Sequence, residues 1–96
     1  MTSKQRAYLR GQANTLDSIF QIGKTGLSDN LLNQLSEALE ARELIKISVL
    51  ETAPDTAKNL ASKISNSINT EVIQVIGNKI ILFRQKKKNS RYTLSN

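Results

Sequence analysis

The chain has no cysteine, no histidine and no tryptophan. Without cysteine there is no disulfide, no thiolate nucleophile and no cysteine zinc site, and without histidine the usual transition-metal sites and Ser-His mechanisms go as well. Only Tyr8, Phe20, Phe83 and Tyr92 are aromatic. That is too few for a sheet that stacks bases on rings, so any nucleic-acid readout would lean on backbone shape and phosphate geometry. No apolar run approaches the ~20 residues of a membrane span, and residues 1–6 lack the apolar core of a signal peptide. The expectation is a cytoplasmic chain with no membrane partner, no metal and no cofactor. The pairs Glu40 with Glu43 and Asp29 with Asn30 come nearest to a paired polar site. Exposed helix charge accounts for them, and no enzymatic activity is expected.

What is present suits one small module. Ninety-six residues at 39% hydrophobic content allow a single core but not a deep, elaborately lined cleft. The net charge of +6 is unevenly placed. Residues 1–24 carry Lys4, Arg6, Arg10 and Lys24 against Asp17, a net +3, whereas residues 25–78 carry four bases against seven acids, a net −3. Residues 79–96 hold Lys79, Arg84, Lys86, Lys87, Lys88 and Arg91 and no acid, a net +6. Basic termini flanking a mildly acidic middle imply a polyanionic partner approached by both ends.

The chain is organised around Phe20-Gln21-Ile22-Gly23-Lys24-Thr25-Gly26-Leu27-Ser28. It reads as a short strand entering a glycine-bracketed loop that opens a helix with Ser28 as N-cap. Such a loop turns backbone N–H groups and the positive end of a helix dipole outward, and Lys24 adds a mobile charge, so phosphate is its natural ligand. Upstream, residues 3–13 predict a basic helix capped by Thr2 or Ser3, with Tyr8, Leu9 and Leu16 as a thin apolar side. Downstream, Leu31, Leu32, Leu35, Ala38 and Leu39 place a core face on a helix over 29–42. Ile45, Ile47 and Val49 then alternate with Lys46 and Ser48 in strand fashion. Pro54 and Asp55 mark the first turn of a third helix with Ala57, Leu60, Ala61, Ile64 and Ile68 inward, ending near 66–69. Two β-branched runs, 72–76 and 79–84, flank Gly77-Asn78, a hairpin turn. Residues 86–96 have no apolar period and predict a solvated basic tail after a domain of residues 1–85. The element order gives an α/β two-layer fold, with two right-handed crossovers placing two helices on one face of the sheet and the first helix over part of the other.

These residues resemble the YhbY-like, single-domain members of the chloroplast RNA splicing and ribosome maturation (CRM) domain family. The likeness is carried by Ile22-Gly23-Lys24-Thr25-Gly26-Leu27, by Ala38-Leu39-Glu40-Ala41-Arg42-Glu43-Leu44-Ile45-Lys46, and by Val72-Ile73-Gln74-Val75-Ile76-Gly77. It implies a mixed four-stranded sheet of order 1-2-4-3, similar to the C-terminal domain of bacterial translation initiation factor three. It also implies RNA binding, with ribosomal RNA in precursors of the large ribosomal subunit as the partner. The GxxG loop of the family, likened to that of KH domains, maps onto Gly23, Lys24, Thr25 and Gly26. Many members carry a basic residue and a proline before the first strand, where this chain has Asp17 and Ser18, and often a histidine where Arg42 stands.

Each candidate has a plainer reading. The loop from Gly23 to Gly26 is equally the form of a tight strand-to-helix connection with no ligand, and its spacing is too short for a nucleotide-triphosphate loop. Lys4, Arg6 and Arg10 are candidates for RNA contact or an ordinary solvated helix face. Lys46 and Arg84, set among apolar neighbours, either reach RNA or cover apolar surface with their stems. Lys86, Lys87 and Lys88 add phosphate attraction without needing to fold. The expected function is a monomeric RNA-binding protein that docks structured ribosomal RNA and assists large-subunit assembly. The alternative is a protein-interaction adaptor that uses the partly open sheet face.

Overall fold

A computed structural model describes residues 1–94 and gives the order α1 (Ser3–Ala13), β1 (Ser18–Ile22), α2 (Asp29–Arg42), β2 (Leu44–Val49), α3 (Ala57–Ser67), β3 (Glu71–Ile76) and β4 (Lys79–Phe83). The sheet order is β1-β2-β4-β3. β1 and β2 run parallel, while β4 is antiparallel to both β2 and β3. The mixed α/β architecture expected from the element order is therefore the one observed.

Local chemistry sets the boundaries. Thr2 and Gln5 form a reciprocal capping box at the start of α1, each side chain bonding the other's backbone N–H at 3.1 and 3.0 Å, which satisfies two donors that a helix start leaves open. Ser28 Oγ accepts from Leu31 N at the start of α2. α3 begins later than the proline suggests. Thr56 is its N-cap, accepting from Asn59 N, and Pro54 lies in the preceding turn. Asp55 Oδ1 accepts from Thr56 N and from the Asn59 side chain, and Lys63 pairs with Oδ2 at 3.0 Å. Hydrogen bonds from Asn59, Lys63 and the Thr56 N–H lower the Asp55 carboxyl to about 2.

Period-two alternation divides the sheet into two faces. On one, Ile22, Ile45, Ile47, Val49, Ile80 and Leu82 meet Leu35 and Leu39 of α2 and Leu60 and Ile64 of α3. On the other, Leu44, Ile73, Ile81 and Phe83 meet Leu9 and Ala13 of α1. The thin apolar side of α1 is thus sufficient because the sheet supplies the rest of the contact.

The carboxy-terminal stretch departs from expectation. Residues 86–94 lie against the body of the protein, while residues 95 and 96 of the expected tail lie outside the described residues. Tyr92 meets Phe83 edge to face, with ring centroids 5.8 Å apart and planes at 84°, and Leu94 joins the core under α1. The anchor is Glu43, which is fully buried rather than exposed. Its carboxylate accepts from Lys86 N at 3.0 Å, Arg91 N at 2.7 Å and the Ser90 hydroxyl. The sequence around residues 86–91 shows no apolar period because polar bonds hold this segment in place.

Burial by itself would raise the Glu43 carboxyl. The bonds from Ser90, Arg91 and Lys86, with the Lys86 charge, outweigh it and hold the group below its ordinary 4.5. A carboxyl depressed in the folded state adds stability above its unfolded value and loses it as pH falls through the folded one. Glu43→Gln should therefore cost about 1–3 kcal/mol at neutral pH, because an amide cannot accept all three donors. Urea unfolding of both proteins should show that gap closing as pH drops below 4.5.

Candidate nucleic-acid interface

The turn from Gly23 to Gly26 closes on itself through Gly26 N–H donating to Gly23 O at 2.9 Å. Lys24 and Thr25 form its exposed tip. One amide that the sequence offered to a ligand is thus used to make the turn. The two glycines are not equivalent. Gly26 has φ of +70°, and a Cβ there would lie 2.9 Å from Pro54 Cγ, so both torsion and space require glycine. A Cβ on Gly23 would meet Leu50 Cδ1 at 3.5 Å and Thr52 Oγ1 at 3.7 Å, with no left-handed φ. These are ordinary contacts, and the fold does not require a glycine at 23.

Topology places the turn at the end of the sheet where β1 and β2 finish and β4 begins. Below it, the half of the sheet face not covered by α1 carries Gln21, Lys46, Ser48 and Lys79. Register sets Gln21 beside Ser48, and Ser48 beside Lys79. Lys79 Nζ donates to Ser48 Oγ at 2.7 Å, and Ser48 Oγ donates to Ser18 Oγ at 2.7 Å. This chain satisfies the buried Ser48 hydroxyl and fixes the direction of the Lys79 side chain. Lys79 was not among the expected contacts. Period two from Ile80 and Leu82 does put it on the face of Lys46, which is the signal that would have found it.

Of the other basic candidates, Lys4 and Arg10 stand exposed on α1, on the same side of the sheet as Lys46 and Lys79. Arg6 and Arg84 do not present themselves freely. The Arg6 guanidinium bonds the carbonyls of Val72 and Ile73, beside the register shift in β3. Arg84 bonds the carbonyls of Asn69 and Ser36, and pairs with Glu40 at 3.6 Å. Both hold the structure together, because a guanidinium offers five donors in a fixed fork that suits bare carbonyls as well as phosphates. Lys87 and Lys88 are exposed and Lys86 partly so, at the far end of β4 from Lys24. The five residues of β4 separate these two groups by roughly 17 Å.

Cations are concentrated on one side. Lys79, Lys46, Lys4 and Arg10 belong to the open sheet face and α1, with Asp17 near Lys46, whereas on the opposite side Asp29, Glu37 and Glu40 of α2 are balanced by Arg42 of α2 and by Lys58 and Lys63 of α3. Among the described residues no helix is long and apolar enough to cross a membrane.

The inequality of the glycines is measurable. Gly26→Ala should lower stability by about 1–3 kcal/mol through torsional strain and the Pro54 contact. Gly23→Ala should leave it unchanged or raise it by up to ~1 kcal/mol. Thermal unfolding of the two variants checks both signs.

The chain is similar to known proteins over nearly its whole length. The probable RNA-binding protein YqeI of Bacillus subtilis is 42% identical over 94 residues, covering 98% of both chains. An RNA-binding protein of Haemophilus influenzae is 27% identical over 88 residues, covering 92% of this chain and 89% of its own. The solution structure of the hypothetical protein SAV1595 from Staphylococcus aureus superposes with a TM-score of 0.83 at 43% identity, covering 99% of each chain. The CRS1 / YhbY (CRM) domain model matches residues 1–84, and the chain belongs to that family.

Proposed function

We propose that this protein binds structured ribosomal RNA through its GxxG turn and the basic side of its sheet, and that it assists assembly of the large ribosomal subunit as a monomer, without catalysis. The observation that carries the reading is the cluster of cations on one side of the molecule. Lys24, Lys79, Lys46, Lys4 and Arg10 gather on the turn, the open sheet face and α1, while the acids of α2 lie behind them. A phosphate backbone approaching that side meets cations at several depths without facing the α2 carboxylates, and neutralising several phosphates gives affinity that falls with salt. The names of the relatives support RNA as the ligand. Gly23 supports the turn as a contact point: the fold does not need its bare backbone, whereas a closely approaching phosphate would.

The adaptor reading needs an open apolar face. Leu50 and Ile76, 38% and 57% exposed at the turn end of the sheet, favour it. Against it, α1 and residues 92–94 cover the apolar half of that face, and what remains uncovered is mostly polar or basic.

RNA titration over a range of salt concentrations separates the two readings. A ribosomal RNA fragment should bind with a steep negative salt slope. Thr25→Asp should weaken binding strongly, and Lys24→Ala and Lys79→Gln should each shallow the slope by ~1. Lys4→Gln with Arg10→Gln should weaken binding while the fold, followed by circular dichroism, persists. Arg6 is left intact in that variant because its loss would also free two carbonyls. Full affinity and slope in a folded Thr25→Asp variant would refute the turn as a phosphate contact.

A further inference from the structure

We infer that the buried Glu43 carboxylate is a positioning residue for RNA binding, holding Lys86, Lys87 and Lys88 as a fixed second phosphate-contact loop. The inference rests on the RNA-binding function proposed above and extends it. The segment from 86 to 91 curls around one carboxylate, with Lys86 N and Arg91 N donating to its two oxygens and Ser90 bonding from within the curl. Asn89 supports the reversal with φ of +58°. The loop is closed behind as well, since the Ser90 hydroxyl oxygen accepts from Tyr92 N and Gln85 Nε2 donates to Tyr92 O. Lys87 and Lys88 project outward, and the three lysines line a groove with Leu39, Glu40, Asn69 and Arg84, in which the Glu40 carboxylate is paired with Arg84 at 3.6 Å.

Glu43 itself is held from every side. Its N–H donates to Leu39 O at 2.9 Å and its carbonyl accepts from Arg84 N at 2.8 Å. Its φ of 68° is one that L-residues rarely adopt. A negative charge is thus buried beneath a basic loop that has to meet an anion. If charge alone mattered, Glu43 would oppose binding, because it subtracts from the local positive potential. If fixed geometry matters, it favours binding, because lysines held in place lose less conformational freedom when phosphate docks. The two accounts predict opposite signs for the same substitution. The second site lies at the end of β4 remote from the GxxG turn, so both sites together would grip the RNA backbone at two separated points.

The test is Glu43→Gln in the full chain, titrated with the same ribosomal RNA fragment at several salt concentrations, at a temperature where circular dichroism reports a folded domain. The substitution raises the net positive charge. The expected result is nevertheless several-fold weaker binding, with the slope of log affinity against log salt shallower by ~1–2. Ser90→Ala, which changes no charge and keeps both backbone bonds to the carboxylate, should shift affinity in the same direction by less, and provides the test if Glu43→Gln fails to fold. In a chain carrying Lys86→Gln, Lys87→Gln and Lys88→Gln, removing the latch should have no further effect on affinity. A loss of stability alone would not produce that dependence on the lysines. Unchanged or tighter RNA binding by folded Glu43→Gln, or by Ser90→Ala where the first does not fold, would overturn the positioning role and leave the binding function standing. Wild-type protein that fails to bind the RNA would overturn the function itself.

Discussion

A carboxylate removed from water has to recover the donors it gave up, and Glu43 recovers three of them from a stretch of chain more than forty residues downstream. That requirement ties together parts of the molecule that share no apolar pattern. The end of α2, the start of β2, the exit from β4 and the chain beyond it all meet at this one residue. Its strained φ persists because the surroundings over-determine it, with backbone and side chain both paired. With the carboxylate in place, Tyr92 and Leu94 can extend the core that α1 shares with the sheet. Without it, the path from Gln85 to Tyr92 would keep only the bonds the segment makes to itself, between Gln85, Ser90 and Tyr92.

The distribution of charge acquires its meaning from the fold. Along the chain, the cations gather toward the two termini. In space, α1 crosses the sheet face opposite α2 and α3, so the amino-terminal cations join Lys46 and Lys79 on one side of the molecule. The acids of the middle segment that belong to α2 fall on the other. Parallel pairing of β1 with β2 and antiparallel pairing with β4 also put Lys24 and Lys79 at the same end and Lys86–Lys88 at the other. The surface is therefore extended, with its cations spread along the length of the strands.

Much of this was legible in the sequence because the relevant signals are local and periodic. Leu35 and Leu39 fall at helical spacing and are fully buried, Ile45 and Ile47 alternate and are fully enclosed, and Gly77-Asn78 joins two strands that do pair antiparallel. The likeness to the CRM family supplied the strand order. What escaped was every decision made by a long-range polar contact. Nothing local distinguishes Arg6, engaged with β3, from Arg10, exposed on the same helix. Glu43 looks like any helix-end glutamate until the chain beyond β4 returns to it. Residues 86–91 read as solvated because charged residues carry no apolar period, although their backbone N–H groups can be bound as firmly as any. At the GxxG turn the two glycines look alike as letters, whereas only Gly26 has a neighbour, Pro54, that excludes a side chain.

The grip of Arg6 on β3 has a consequence of a different kind. β3 lies at the rim of the sheet, and a rim strand with bare carbonyls invites a strand from another molecule to add itself. Here the guanidinium sits on the carbonyls of Val72 and Ile73, and the adjacent register shift between Val72 and Gln74 breaks the even spacing an incoming strand would need. The same guanidinium that reads in the sequence as an ordinary surface charge thus obstructs the addition of a further strand at this rim, guarding an edge that the sheet would otherwise leave open.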